Sequence, residues 1–227
     1  MEQLVLDIAR PEPPRFDSFL PGRNAELIAT LARFASTPGD ETCMLLWGPP
    51  GAGKTHLLRA AVTHGREAGR EGEFFGHPET IGEQDTLPLD GVIAIDGIDL
   101  ADEATSARIF SLFNAVKEAG GTLLAASRTP LAALSVREDL RTRLGWGLVY
   151  EVFPLSDEDK PEALAAYARK RGFGLSAEVI EYLLRHARRD MASLVCLLAA
   201  LDRFSLSAKR PITVPLLREW LQRDPRR

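Results

Sequence analysis

The chain has 227 residues, of which 45% are hydrophobic and 26% charged, enough to bury one α/β core and a smaller companion unit. Its net charge of −4 argues against a protein whose main work is gripping a nucleic-acid backbone. Two cysteines, no basic leader before an apolar run, no stretch near ~20 apolar residues and four scattered histidines exclude a disulfide scaffold, a signal peptide, a membrane span and a zinc-type site.

In chain order, residues 1–9 form a short amphipathic segment, cut off by Pro11, Pro13 and Pro14, which favour an extended linker. A helix is predicted over residues 24–36, with Leu27, Ile28, Leu31 and Phe34 on one face. The apolar run 43–47, ended by Gly-Pro-Pro-Gly, is a buried strand, and residues 54–68 are helical in pattern. A weak strand at 73–75 precedes a second buried strand at 92–96, a helix at 103–118, and strands at 122–127 and 148–153. Strands alternating with helices imply a parallel sheet wrapped on both faces.

Beyond Pro154 the pattern becomes four helices without a strand, with Ser156, Ser176 and Thr213 as predicted N-caps. The expected organisation is a peptide and linker over 1–14, an α/β base over 15–155 and a helical unit over 156–227. Cys43 and Cys196 both fall in apolar stretches and are expected to be buried small hydrophobes. The Arg-rich stretches 66–70 and 185–189 are expected to be solvated helix faces.

Residues Gly48, Pro49, Pro50, Gly51, Ala52, Gly53, Lys54 and Thr55 complete the G-x-x-x-x-G-K-[ST] pattern between a predicted strand and a predicted helix. Glycines let backbone N–H groups turn inward around phosphate oxygens, and the following helix adds its positive end. Lys54 is placed for the β- and γ-phosphates and the Thr55 hydroxyl for Mg²⁺. About forty residues on, Asp96 ends a buried strand, where a carboxylate serves the same metal. The next position, where a second acid would polarise an attacking water, is Gly97; Asp99 is expected to face another way. Self-sufficient hydrolysis is therefore not expected. Ser127 and Arg128 close the next strand, either reaching the γ-phosphate region or simply ending the strand. Arg141 and Arg143, on the segment REDLRTRLGWGL, either contact a phosphate on a neighbouring molecule or are solvated.

A P-loop α/β base followed by four helices resembles AAA+ ATPases. Phe16–Asn24 is similar to the segment of DnaA-type initiators that runs beside the adenine, and Arg141–Gly147 looks like the initiator SRF-x-WG box. Arg189-Asp190-Met191 is similar to the sensor 2 arginine and its acidic neighbour. Residues 154–173 and 201–221 resemble the Hda family of DnaA regulatory inactivators, and the whole likeness runs from residue 3 to about 221. Gln3, Leu4, Leu6 and Ile8 fit the Q-L-x-L-x-[L/I] pattern of peptides that dock on the bacterial sliding clamp, although a frayed first strand is the plain alternative.

The resemblance implies a five-stranded AAA+ sheet with a helical lid, holding ADP or ATP with Mg²⁺ through Leu20, Pro21, Gly48 to Thr55, His56 and Arg189, with Thr55 and Asp96 toward the metal. It implies Arg143 as an arginine finger acting in trans and Ser127 at the sensor 1 position. The implied partners are DnaA and the DNA polymerase III sliding clamp (its β subunit), with DNA reached only through the clamp, a homo-oligomer also being compatible. The implied function is negative control of replication initiation in the cytoplasm by promoting hydrolysis of DnaA-bound ATP. The rivals are a self-sufficient AAA+ ATPase such as a helicase loader, and an accessory initiator that binds DNA directly. Gly97 counts against the first, and the negative charge and lack of a helix-turn-helix pattern against the second.

Overall fold

The computed structural model describes residues 13–82, 86–187 and 190–223. The amphipathic segment with Gln3, Leu4, Leu6 and Ile8, and the proposed sensor arginine Arg189, lie outside the described residues. The chain divides into two compact units, Pro13–Pro154 and Leu155–Arg227.

The first unit is an α/β layer. Its strands are β1 (Cys43–Trp47), β2 (Gly72–Phe75), β3 (Val92–Ile95), β4 (Thr122–Ser127) and β5 (Leu148–Glu151), and its helices are α1 (Ala25–Ser36), α2 (Lys54–Glu67), α3 (Glu103–Ala119) and α4 (Glu138–Gly145). The strands lie in the order β2-β3-β4-β1-β5, and every pairing is parallel. The period of two along a strand sorts its side chains between two cores. Cys43, Leu45, Ile93, Ile95, Leu123 and Ala125 face one side with Ile109, Leu112 and Phe113 of α3. Met44, Leu46, Val92, Ala94, Leu124 and Ala126 face the other with Leu27 and Leu31 of α1 and Leu57 and Leu58 of α2. Both faces of the central strands are covered, which is why these strands are continuous apolar runs.

The element boundaries differ from expectation where a side chain intervenes. Asn24 does not open α1; it is 3% exposed and ends a 3-10 turn. Its Nδ2 donates to the Phe153 carbonyl and its Oδ1 accepts from the Phe153 N–H, both at 2.8 Å. That exchange takes over the backbone of Phe153, so β5 stops at Glu151 rather than at residue 153. The Arg-rich stretch 66–70 is not simply solvated. Arg66 donates twice to the Gly72 carbonyl, and Arg70 donates to the carbonyls of Ala35, Asp90 and Gly91 and to Thr122 Oγ1.

The second unit holds α5 (Lys160–Lys170), α6 (Ala177–His186), α7 (Met191–Ala208) and α8 (Val214–Arg223) around Leu164, Val179, Leu183, Leu194, Leu198, Leu201 and Leu217. Ser176 caps α6 by accepting the Val179 N–H, and Thr213 Oγ1 accepts from Leu216 N at the start of α8. Ser156 is not the cap of α5: its Oγ accepts from the Asp159 N–H within a turn, and the helix begins only at Lys160. Cys196 is exposed, contrary to expectation. The buried stripe of α7 runs through Leu194, Leu198 and Leu201, and a residue two positions from Leu194 falls on the opposite side of the helix. Among the described residues, no helix is long and apolar enough to cross a membrane.

Candidate nucleotide site

The loop between β1 and α2 is shaped by its glycines and tied to the neighbouring strand. The Gly48 N–H donates to the Ser127 carbonyl at 3.2 Å, so the loop leaves the sheet beside the end of β4. Gly53, with φ 97 and ψ 13, turns the chain into α2 in the left-handed region that side chains with a Cβ disfavour. A Cβ there would lie 2.5 Å from Phe19 Cε2, so the leading segment closes directly over the loop. The first amide N–H groups of α2 have no partner within the helix and form, with the helix dipole, a concave surface suited to an anion.

Lys54 is 9% exposed, and its Nζ donates to the carbonyls of Gly48 at 2.7 Å and Pro49 at 3.0 Å. Burial lowers its pKa, while the charges of Asp96 and Asp99 oppose that shift. The ammonium is therefore held inside the loop at the point where phosphate oxygens would replace the two carbonyls. Thr55 Oγ1 donates to Asp96 Oδ2, and Asp96 Oδ1 accepts the Gly97 N–H at 2.9 Å. The helix start and the end of β3 thus bring a hydroxyl and a carboxylate together, the hard oxygen pair a Mg²⁺ ion takes. Among the described residues no three His, Cys, Asp or Glu side chains form a metal cage. A divalent ion here would draw its remaining ligands from phosphate and water, as Mg²⁺ commonly does. The residues present fit a nucleotide with its metal.

Other predicted site residues have protein partners of their own. Ser127 is fully buried, and its Oγ donates to the Thr129 carbonyl and accepts the Thr129 N–H, so it closes the turn after β4. His56 Nε2 lies 3.0 Å from the Arg15 carbonyl and 3.3 Å from Ser18 Oγ, and its ring packs against Phe19. It braces the leading segment on α2, and burial lowers its pKa. Leu20 is half-buried, and the Pro21 carbonyl accepts the Asn24 N–H at the turn into α1. The Arg143 guanidinium stacks 4.1 Å from the centre of the Trp146 ring, with Phe110 at 5.5 Å and Phe113 at 6.0 Å. Trp146 itself is 56% exposed.

Sequence reasoning missed two features. Asn24, which seals the sheet edge through Phe153, carries no signal beyond its place before a helix. Asp99 does face another way from Asp96, but its partner is not legible in the sequence: Gly97 adopts φ 67 and ψ 36, and a 3-10 turn over Ile98–Leu100 brings Asp99 to the residue after β4. Its Oδ1 accepts the Arg128 N–H at 3.1 Å, and its Oδ2 lies 3.7 Å from Arg128 Nε.

A parallel sheet ordered β2-β3-β4-β1-β5, with the phosphate loop after β1 and an aspartate after β3, is the AAA+ arrangement, and solved structures agree. Domain III of the replication initiator DnaA from Thermotoga maritima superposes with a TM-score of 0.75 at 18% identity, covering 94% of this chain and 97% of that one. AMPPCP-bound DnaA from Aquifex aeolicus gives 0.70 at 18% identity, over 96% of this chain and 72% of that one. The RuvB Holliday-junction branch-migration motor of Thermotoga maritima gives 0.68 at 19%, over 92% and 72%. The base is therefore an AAA+ fold, shared with DnaA and RuvB alike.

The helical unit is more particular: residues 157–221 match the family model described as Hda, lid domain. The helical unit is thus similar to the Hda lid, and the base shares its fold with the DnaA structures.

Proposed function

We propose that this protein is a negative regulator of replication initiation that binds ADP or ATP with Mg²⁺ and acts on DnaA from the sliding clamp. The observation that carries it is the Hda lid match over residues 157–221. The phosphate loop around Lys54 supports nucleotide binding, with Thr55 and Asp96 toward the metal. One solved DnaA with this fold is described as AMPPCP-bound, which supports the same chemistry here. A bound nucleotide would join the strand ends, and the resemblance implies Arg189 as its sensor 2 arginine.

Gly97 supports a regulatory protein over a motor. No carboxylate follows Asp96 directly, and the acid at Asp99 is engaged by Arg128. Hydrolysis would instead occur on DnaA, with Arg143 offered in trans; an arginine finger contributes ~10³–10⁵ in rate in GTPase systems. Gln3, Leu4, Leu6 and Ile8 would seat in an apolar groove of the clamp, bringing the protein to DNA through the clamp.

A pull-down with clamp and DnaA tests the partners. The wild-type protein with ADP should retain both. Replacing Gln3, Leu4 and Leu6 with alanine should remove the clamp and leave the melting temperature unchanged. A variant that unfolds would make the peptide a structural strand and remove the support for clamp docking.

A further inference from the structure

Trp146 is a large aromatic side chain that the function set out above leaves without a task. It is 56% exposed, although a tryptophan gains most from burial. Its backbone is nevertheless fixed on both sides. Leu144, two residues before it, is fully buried, and the Trp146 N–H donates to the Arg143 carbonyl at 3.2 Å. Gly147, just after it, runs so close to β1 that a Cβ there would collide with the Cys43 carbonyl oxygen. The indole is therefore a surface platform on a rigid base.

That platform carries positive charge. The Arg143 guanidinium lies over the ring at 4.1 Å from its centre, and the Lys117 ammonium at 5.6 Å. Phe110 adds a second aromatic face 5.5 Å from the same guanidinium. The neighbouring arginines are held by carboxylates instead. Arg137 donates through Nε and Nη2 to Asp139, and Arg141 lies 3.9 Å from Glu138. Among the described residues, no hydrogen bond or ion pair engages the Arg143 side chain. An ion-paired arginine must release its carboxylate before it can meet a phosphate. One held by aromatic faces keeps its N–H donors for the two parallel charged bonds that a phosphate accepts. Without the ring, Lys117 would repel Arg143 and the arginine would spread over many rotamers.

Building on the trans-acting role given to Arg143 above, we propose that Trp146 is its positioning residue. The fixed ring holds the guanidinium in one place with its donors unspent, so that it reaches a phosphoryl group on the partner molecule already oriented. Trp146 itself touches no reacting atom. Its contribution falls on the rate of the step and not on affinity for the partner, because small misplacements of a reacting group are costly to rate.

Single-turnover hydrolysis of DnaA-bound ATP, with clamp loaded on DNA and the full chain titrated to saturation, separates the maximal rate from the half-saturating concentration. Trp146→Ala should lower the maximal rate about ten- to a hundredfold and leave the half-saturating concentration nearly unchanged. Trp146→Phe keeps an aromatic face and should recover most of the rate, while Lys117→Ala should match wild type. In an Arg143→Ala background, Trp146→Ala should cause no further loss. An unchanged rate in Trp146→Ala, a loss confined to the half-saturating concentration, or a further loss in the Arg143→Ala background would each overturn the proposal. The stack itself is checked without DnaA. In a chain carrying Trp47→Phe and Trp220→Phe, Arg143→Ala should make the Trp146 emission more accessible to acrylamide. No change in quenching would mean that the ring does not hold the arginine in solution, and would overturn the proposal as well. Full stimulation by Arg143→Ala with the stack present would overturn the trans-acting role and the proposal with it, leaving the stack as a surface brace.

Discussion

At the scale of single residues, the chemistry of the phosphate loop follows from residue type and spacing, while the surrounding contacts do not. Gly48 to Thr55 and Asp96 are legible because a phosphate cradle and a hard cation require those groups at the ends of two strands. The partners of His56, Asp99 and Arg143 depend on how the chain turns after each strand, and no short pattern records that. His56 illustrates the consequence. Burial lowers its pKa below the ordinary 6.5, against the opposing effect of the Arg15 carbonyl, so the folded protein binds fewer protons than the unfolded chain near that pH. Stability linked to His56 is then present above about pH 6.5 and lost as the pH falls toward the lowered value. Urea midpoints measured from about pH 7.5 to 5.5 should decline for the wild type and decline less for His56→Gln. A slope unchanged by the substitution would mean the ring is not buried in solution.

At the scale of elements, hydrophobic period and turn residues are enough to give every strand and long helix of the base, because β1, β3 and β4 are mostly apolar, glycine directly follows β1 and β2, and Pro154 lies shortly after β5. Boundaries moved where polar side chains took over backbone groups. Asn24 ended β5 early, and the Ser156 turn delayed α5. The arginines at the end of α2 and just after it are the larger miss, since a charged cluster ordinarily reads as solvated surface. Arg70 ties α1, the approach to β3 and the start of β4 through four hydrogen bonds of 3.0 to 3.1 Å. Arg70→Ala should therefore destabilise the protein by about 1–3 kcal/mol, because part-buried carbonyls lose a charged donor. Arg70→Lys should rescue little, since one ammonium cannot replace a planar fork. Urea unfolding checks this. A loss within about 0.5 kcal/mol, as for an ordinary surface site, would show the network is not maintained.

At the scale of the whole molecule, a base with the AAA+ fold and a helical unit similar to the Hda lid occur on one chain, together with a phosphate loop whose residues fit a nucleotide. The fold class was legible from strand and helix alternation; the proposed partners rest on resemblance in the short segments at the two ends and in the box around Trp146. Arg143 is where the account is most exposed. Its stacking on Trp146 is worth about 0.5–1 kcal/mol at an exposed site, so Arg143→Ala should lower the melting temperature by only a few degrees. Its effect in trans should be far larger. The most direct measurement is single-turnover conversion of DnaA-bound ATP to ADP with clamp loaded on DNA, comparing wild type, Arg143→Ala and Arg141→Ala. Arg143→Ala is expected to abolish the stimulation while Arg141→Ala largely keeps it. Full stimulation by Arg143→Ala, or equal loss in the two variants, would contradict the account.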